Sequence, residues 1–134
     1  MENLFQKKRF TMHSGGVSDF KLECDALTRK DYETLAYMVS RKIQFKKCFG
    51  IPRGGLPFEK ALKQYENNNS ETILIVDDVF TTGGSIIQFK NQLLQDGVIN
   101  QETDVQVIVV FSRGKLLPNV VSIFSLNENY WQND

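Results

Sequence analysis

The stretch that most constrains the fold is Glu71–Ile86, ETILIVDDVFTTGGSI. Ile73-Leu74-Ile75-Val76 is a continuous apolar run rich in β-branched residues, which suits a parallel strand covered on both faces. Asp77 and Asp78 then place two carboxylates where that strand should emerge at its carboxyl end. A tight turn rich in hydroxyls and glycine follows, Thr81-Thr82-Gly83-Gly84-Ser85, and Ile86, Phe89 and Leu93 continue at helical spacing. Unpaired amides in the first turn of such a helix, together with its dipole, form an anion pocket. Glycines let the backbone approach a phosphate, and the hydroxyls add donors. The carboxylates cannot take the phosphate. They can accept hydrogen bonds from ribose hydroxyls or sit near a hard cation such as Mg²⁺. A lone Asp-Asp or Thr-Thr-Gly-Gly reads as a buried strand with a solvated, capping turn; all the parts in this order argue for a sugar-phosphate site.

The rest of the chain alternates strands and helices. Phe10–His13, the turn Ser14-Gly15-Gly16 and Val17–Leu22 read as a hairpin. Thr28–Ile43 reads as an amphipathic helix with a Thr28-x-x-Asp31 capping box, an apolar face of Tyr32, Leu35, Ala36, Val39 and Ile43, and Arg41 and Lys42 in its last turn. Nothing on that helix looks chemical. Phe45–Ile51 is the next strand, followed by Pro52-Arg53-Gly54-Gly55 and a helix over Phe58–Tyr65. This is a second candidate anion nest, with the Arg53 fork suited to phosphate oxygens. Asn67-Asn68-Asn69-Ser70 reads as a loop, and a helix from Ser85 to about Gln95 ends at Gly97. Val105–Phe111 is another buried-type strand leading into Ser112-Arg113-Gly114-Lys115, so Arg113 and Lys115 face the crevice at the carboxyl ends of the strands. Val120–Leu126 is a last strand, and 127–134 is a polar tail with Tyr130 and Trp131, which either stack on a base or pack the terminus. This pattern implies an α/β domain with a mainly parallel sheet flanked by helices. It divides into an N-terminal segment over about 5–25, a core over 26–126 and the tail.

With 134 residues the chain suffices for one domain and one core. Sixteen basic and sixteen acidic residues cancel, so no global field favours nucleic acid or anionic lipid. Cys24 and Cys48 match no metal spacing, and the single His leaves little to complete a zinc site. No run reaches transmembrane length and no signal-peptide core is seen, which with free thiols points to the cytoplasm.

The Ile73–Ser85 stretch resembles the phosphoribosyl pyrophosphate (PRPP) motif of type I phosphoribosyltransferases. The segment FTMHSGGVSDFKLECDAL is similar to the N-terminal hood of the orotate phosphoribosyltransferases, matched by Phe10, Thr11, Ser14, Gly15, Ser18 and Phe20, with His13 where that family has a lysine. Arg53-Gly54-Gly55 resembles the pyrophosphate loop, in a form closer to purine-type members. The resemblance implies a phosphoribosyltransferase-like core with a small hood, and transfer of 5-phosphoribosyl from PRPP to an orotate-like or purine base. It further implies Mg²⁺, Asp77 and Asp78 as catalytic and metal-near residues, and Thr81–Ser85 on the 5-phosphate. Arg53–Gly55 would take pyrophosphate, with possible contacts from His13, Phe20, Arg113 and Lys115. A homodimer is also implied. Family members carry a further strand and a long basic loop before the acidic-pair strand. Here Phe58–Glu66 runs through the Asn-rich turn straight to it, which leaves a non-catalytic PRPP- or nucleotide-binding module as the alternative.

Overall fold

The computed structural model describes residues 27–126 throughout and, before them, the backbone of four two-residue strands. These are β1 (Phe5–Gln6), β2 (Phe10–Thr11), β3 (Val17–Ser18) and β4 (Lys21–Leu22). β2 pairs antiparallel with β3, as the hairpin reading requires, but β4 pairs with β1, so Val17–Leu22 is two short strands rather than one. His13, Phe20, Tyr130 and Trp131 lie outside the described residues.

The core follows the alternation in the sequence: α1 (Arg29–Ser40), β5 (Lys47–Gly50), α2 (Leu56–Leu62) running into a 3-10 turn (Lys63–Tyr65), β6 (Ile73–Phe80), α3 (Gly84–Gln95), β7 (Val105–Arg113) and β8 (Val120–Leu126). The capping box of α1 is formed: Asp31 N–H donates to Thr28 Oγ1 at 3.2 Å, and Thr28 N–H donates to Asp31 Oδ2 at 2.8 Å. That helix stops at Ser40, so Arg41 is its C-cap and Lys42 lies beyond the last turn. Gly97 follows the C-cap Asp96, and the N–H groups of Gly97 and Val98 reach back to the carbonyls of Leu94 and Leu93.

All four core strands are parallel, in the order β5-β6-β7-β8. Their carboxyl ends therefore share one edge of the sheet. α1 and α2 cover one face, where Tyr32, Leu35, Ala36, Phe58 and Leu62 pack on Cys48, Leu74, Val76 and Val110. α3 covers the other, with Ile86 and Leu93 on Ile73, Ile75, Val107 and Val109. β6 is thus buried on both sides, as its apolar run demands. β7 returns to the parallel β8 through residues 114–119 alone, with no helix between them.

β5 is an edge strand whose outward groups are met by side chains. Cys48 N–H donates to Glu66 at 2.9 Å, Gly50 N–H donates to Glu59 at 3.0 Å, and the Lys63 ammonium donates to the Cys48 carbonyl at 3.2 Å. Those side chains come from α2 and the turn after it. Residues 66–72 then lead directly into β6, and no further strand stands between β5 and β6.

Candidate functional site

The strand carrying the two acids is longer than its apolar run. β6 continues through Asp77 and Asp78 to Phe80, so the acids lie within the carboxyl half of the strand rather than beyond it. The ladder is irregular there. Asp77 stands opposite Val109 and Val79 opposite Phe111, and the pairing skips Asp78. The freed amides are taken locally: Asp78 N–H donates to Asp77 Oδ1 at 2.8 Å, and Val79 N–H donates to Asp78 Oδ1 at 2.8 Å. The side-chain alternation slips by one across the pair, since Val76 and Val79 pack on the α1–α2 side while Ile75 and Phe80 pack on the α3 side.

The two carboxylates have different surroundings. Asp77 is buried, and its carboxyl is pushed up to about 8, first by burial, then by the hydrogen bond and charge of Asp78. Burial disfavours the charged form, and a like charge alongside adds to that. Asp78 is half-buried and lines an open cleft of about 890 Å³ between α1, α2 and the turn after β5.

Arg53 and Gly54 line the same cleft. Arg53 is exposed, on a turn whose Pro52–Arg53 peptide is cis. Gly54 presses against the Asp78 carboxylate so closely that a β-carbon there would overlap both of its oxygens. Gly55 is placed differently. It lies buried under the turn as the N-cap of α2, donating its N–H to the Ile51 carbonyl at 2.8 Å. Leu56 N–H donates to the Arg53 carbonyl at 3.1 Å, so these two amides are used inside the turn.

The second turn joins β6 to α3 at the same edge of the sheet. Gly83 is the N-cap of α3 with φ of 86°, a left-handed conformation natural to glycine, and a β-carbon there would also meet Leu117. Thr81, Thr82, Gly84 and Ser85 are exposed around it, and Gly84 N–H approaches Thr82 Oγ1 at 3.5 Å. This turn does not line the cleft. Neither do Arg113, which ends β7 as a buried residue rather than lying in a loop, and Lys115, which is exposed on the segment beyond.

Sequence reasoning missed the other wall of the cleft. Arg29, Tyr32 and Glu33 of α1 line it, as do Lys60 of α2 and Gln64 of the 3-10 turn after it, although α1 reads as a helix for the core alone. Their spacing carries the signal. Positions three and four apart share a helix face, which unites Arg29 with Tyr32 and Glu33, and Leu56 with Lys60. Which face meets Arg53 is set by tertiary packing.

Of the two acids only Asp78 lines the cleft, with Asp77 buried beside it; Mg²⁺ takes one or two carboxylates and completes its shell with water and phosphate oxygens. Among the described residues no group of three His, Cys, Asp or Glu converges, so such an ion would depend on substrate oxygens. Among the described residues, too, no helix is long and apolar enough to cross a membrane.

The fold is that of the type I phosphoribosyltransferases, as comparison with solved structures shows. Orotate phosphoribosyltransferase from Aeropyrum pernix superposes with a TM-score of 0.68 at 22% identity, over 91% of this chain and 88% of that one. Orotate phosphoribosyltransferase from Mycobacterium tuberculosis gives 0.65 at 16% identity, over 91% and 89%. A purine phosphoribosyltransferase from Pyrococcus horikoshii gives 0.53 at 14% identity, over 75% and 85%. No protein-family model and no curated sequence matches the chain.

Proposed function

We propose that the protein binds PRPP at the carboxyl edge of its sheet and transfers the 5-phosphoribosyl group to a nucleobase nitrogen, releasing diphosphate. The observation that carries this reading is the meeting of Arg53, Gly54 and Asp78 in one cleft at the ends of adjacent parallel strands. Ligands of open α/β sheets bind at such ends.

The diphosphate lies against the turn at Arg53 and Gly54, where the guanidinium fork matches its oxygens. The 5-phosphate sits on the Thr81–Ser85 turn at the start of α3, served by free amides and hydroxyls. Asp78 takes a ribose hydroxyl and faces the carbon that becomes electron-poor as the C1–O bond breaks, where negative charge is worth most. Asp77, behind it, holds the turn of the strand through the Asp78 amide. Asp78, with Asp77 beside it, would hold Mg²⁺ together with substrate oxygens, and the ion would supply neutralising charge for the departing diphosphate. The base nitrogen supplies the attacking electron pair, so no covalent protein nucleophile is needed. The acceptor is an orotate-like or purine base, and the enzyme works as a cytoplasmic homodimer.

A second reading is favoured by one observation. Residues 66–72 connect the 3-10 turn to β6 directly, leaving no long segment between β5 and β6 to close over the reacting centre. Closure excludes water and completes the electrostatic site. A PRPP- or nucleotide-binding regulatory module needs no closure. Diphosphate release from PRPP and Mg²⁺, with orotate, uracil and purine bases offered in turn, separates the two. Base-dependent release supports the transferase; a melting temperature raised by PRPP without release under any base supports the module.

A further inference from the structure

The cleft holds more positive charge than the turn after β5 supplies. Arg29, Arg53 and Lys60 line it together with the acids Glu33 and Asp78. Arg29 is already engaged, its Nε donating to Glu33 at 3.0 Å along one face of α1. Neither Arg53 nor Lys60 forms an ion pair among the described residues. Lys60 is exposed and lies in the last turn of α2, the helix that begins directly after Gly54 and Gly55. Four residues of helix separate it from Leu56, a rise of about 6 Å, which the lysine stem can span back toward Arg53.

We infer that Lys60 is a second cationic ligand for the diphosphate end of the substrate, acting with Arg53 across the cleft. This rests on the PRPP reading of the site and adds a residue to it. The two cations are complementary. Arg53 offers a planar fork on a fixed turn, and Lys60 offers a compact charge on a flexible stem. A diphosphate needs both kinds of contact, because its charge is spread over two phosphoryl groups while the only cleft-facing charge from β6 is the negative Asp78. Placed on α2, Lys60 brings a basic group to the open cleft from a helix packed against α1. It is a binding residue, not a group that moves a proton.

The test is calorimetric titration of inorganic diphosphate, with Mg²⁺ present, into the unmodified protein and four variants, Lys60→Gln, Lys60→Arg, Lys30→Gln and Arg53→Gln. Lys60→Gln should weaken diphosphate binding by about tenfold, the value of one charge-assisted contact in a partly solvated cleft. Lys60→Arg should restore most of it. Lys30→Gln removes an exposed charge from α1 that does not line the cleft, and should bind as the unmodified protein does. Unchanged melting temperatures without ligand would show that all variants fold. If Lys60→Gln binds diphosphate like the unmodified protein while Arg53→Gln does not, Lys60 is no ligand and the PRPP reading survives. If Lys60→Gln and Lys30→Gln weaken binding equally, the effect is general charge and the inference fails. If the unmodified protein binds no diphosphate and no PRPP, the underlying reading of the site fails as well.

Discussion

Gly54, on the turn after β5, and the Asp78 carboxylate of β6 are in direct contact, with no room for a β-carbon between them. This contact couples the end of β5 to the end of β6 at the point where the β6 ladder skips a residue. Gly54→Ala must displace Asp78, or shift the turn carrying Arg53. Overpacking of this kind costs about 1–3 kcal/mol. We expect a lowered melting temperature and a loss of PRPP binding larger than the stability change explains. Normal PRPP affinity in Gly54→Ala would show that the Asp78 position is immaterial to the ligand.

The buried Asp77 makes stability depend on pH with a definite sign. Its carboxyl titrates near 8 in the folded chain and near 4 when unfolded, so between these values the folded state holds a proton that the unfolded state has released. Stability from this group is greatest below about pH 4, falls as pH rises through the window and levels off above about 8. The whole swing is on the order of 5 kcal/mol. Asp77→Asn, neutral throughout, should lose that slope. Urea unfolding at about pH 5 and pH 8.5 would check it: parallel losses in both proteins would mean that Asp77 is ionised in the folded state.

Two left-handed glycines separate backbone strain from packing. Gly83 has φ of 86° with Leu117 beneath it, while Gly97 has φ of 73° and open space around its α-carbon. Gly97→Ala should cost only the backbone term, about 1–2 kcal/mol. Gly83→Ala adds the clash with Leu117 and should cost more. Equal shifts in melting temperature would indicate that Leu117 moves aside freely.

The side chains along β5 substitute for a neighbouring strand. Glu59→Ala with Glu66→Ala would leave the outward amides of Gly50 and Cys48 without their carboxylates. Each lost partner costs about 1–3 kcal/mol, and the bared edge is a template for pairing with another chain. We expect the double variant to be less stable and to associate with rising concentration in sedimentation runs. A variant that stays as dispersed as the unmodified protein would show that the edge is blocked in another way.

Much of this was legible in the residues, because local chemistry decided it. The Ile73–Val76 run forces a two-sided strand, Thr28 and Asp31 force a helix start, and the Thr81–Ser85 turn opens α3 as its glycines require. The strand ends were less legible. The apolar runs end at Val76 and at Phe111, yet hydrogen bonding carries β6 to Phe80 and β7 to Arg113, since the ladder continues through polar residues that a run of apolar side chains does not mark. The cleft wall was legible only as shared helix faces, not as a wall. Arg29, Glu33 and Lys60 are ordinary helix-surface residues until α1 and α2 pack side by side over the turn after β5, and that arrangement is a long-range fact. The parallel return of β8 through six residues, 114–119, is likewise set by the sheet rather than by any local signal.

The most direct test of the site is calorimetric titration of PRPP with Mg²⁺ into the unmodified chain and into Arg53→Gln and Asp78→Asn. We expect one PRPP per chain for the unmodified protein, and at least about tenfold weaker binding for each variant at unchanged fold. Absence of binding to the unmodified chain, or full affinity in both variants, would contradict a PRPP site built on Arg53 and Asp78.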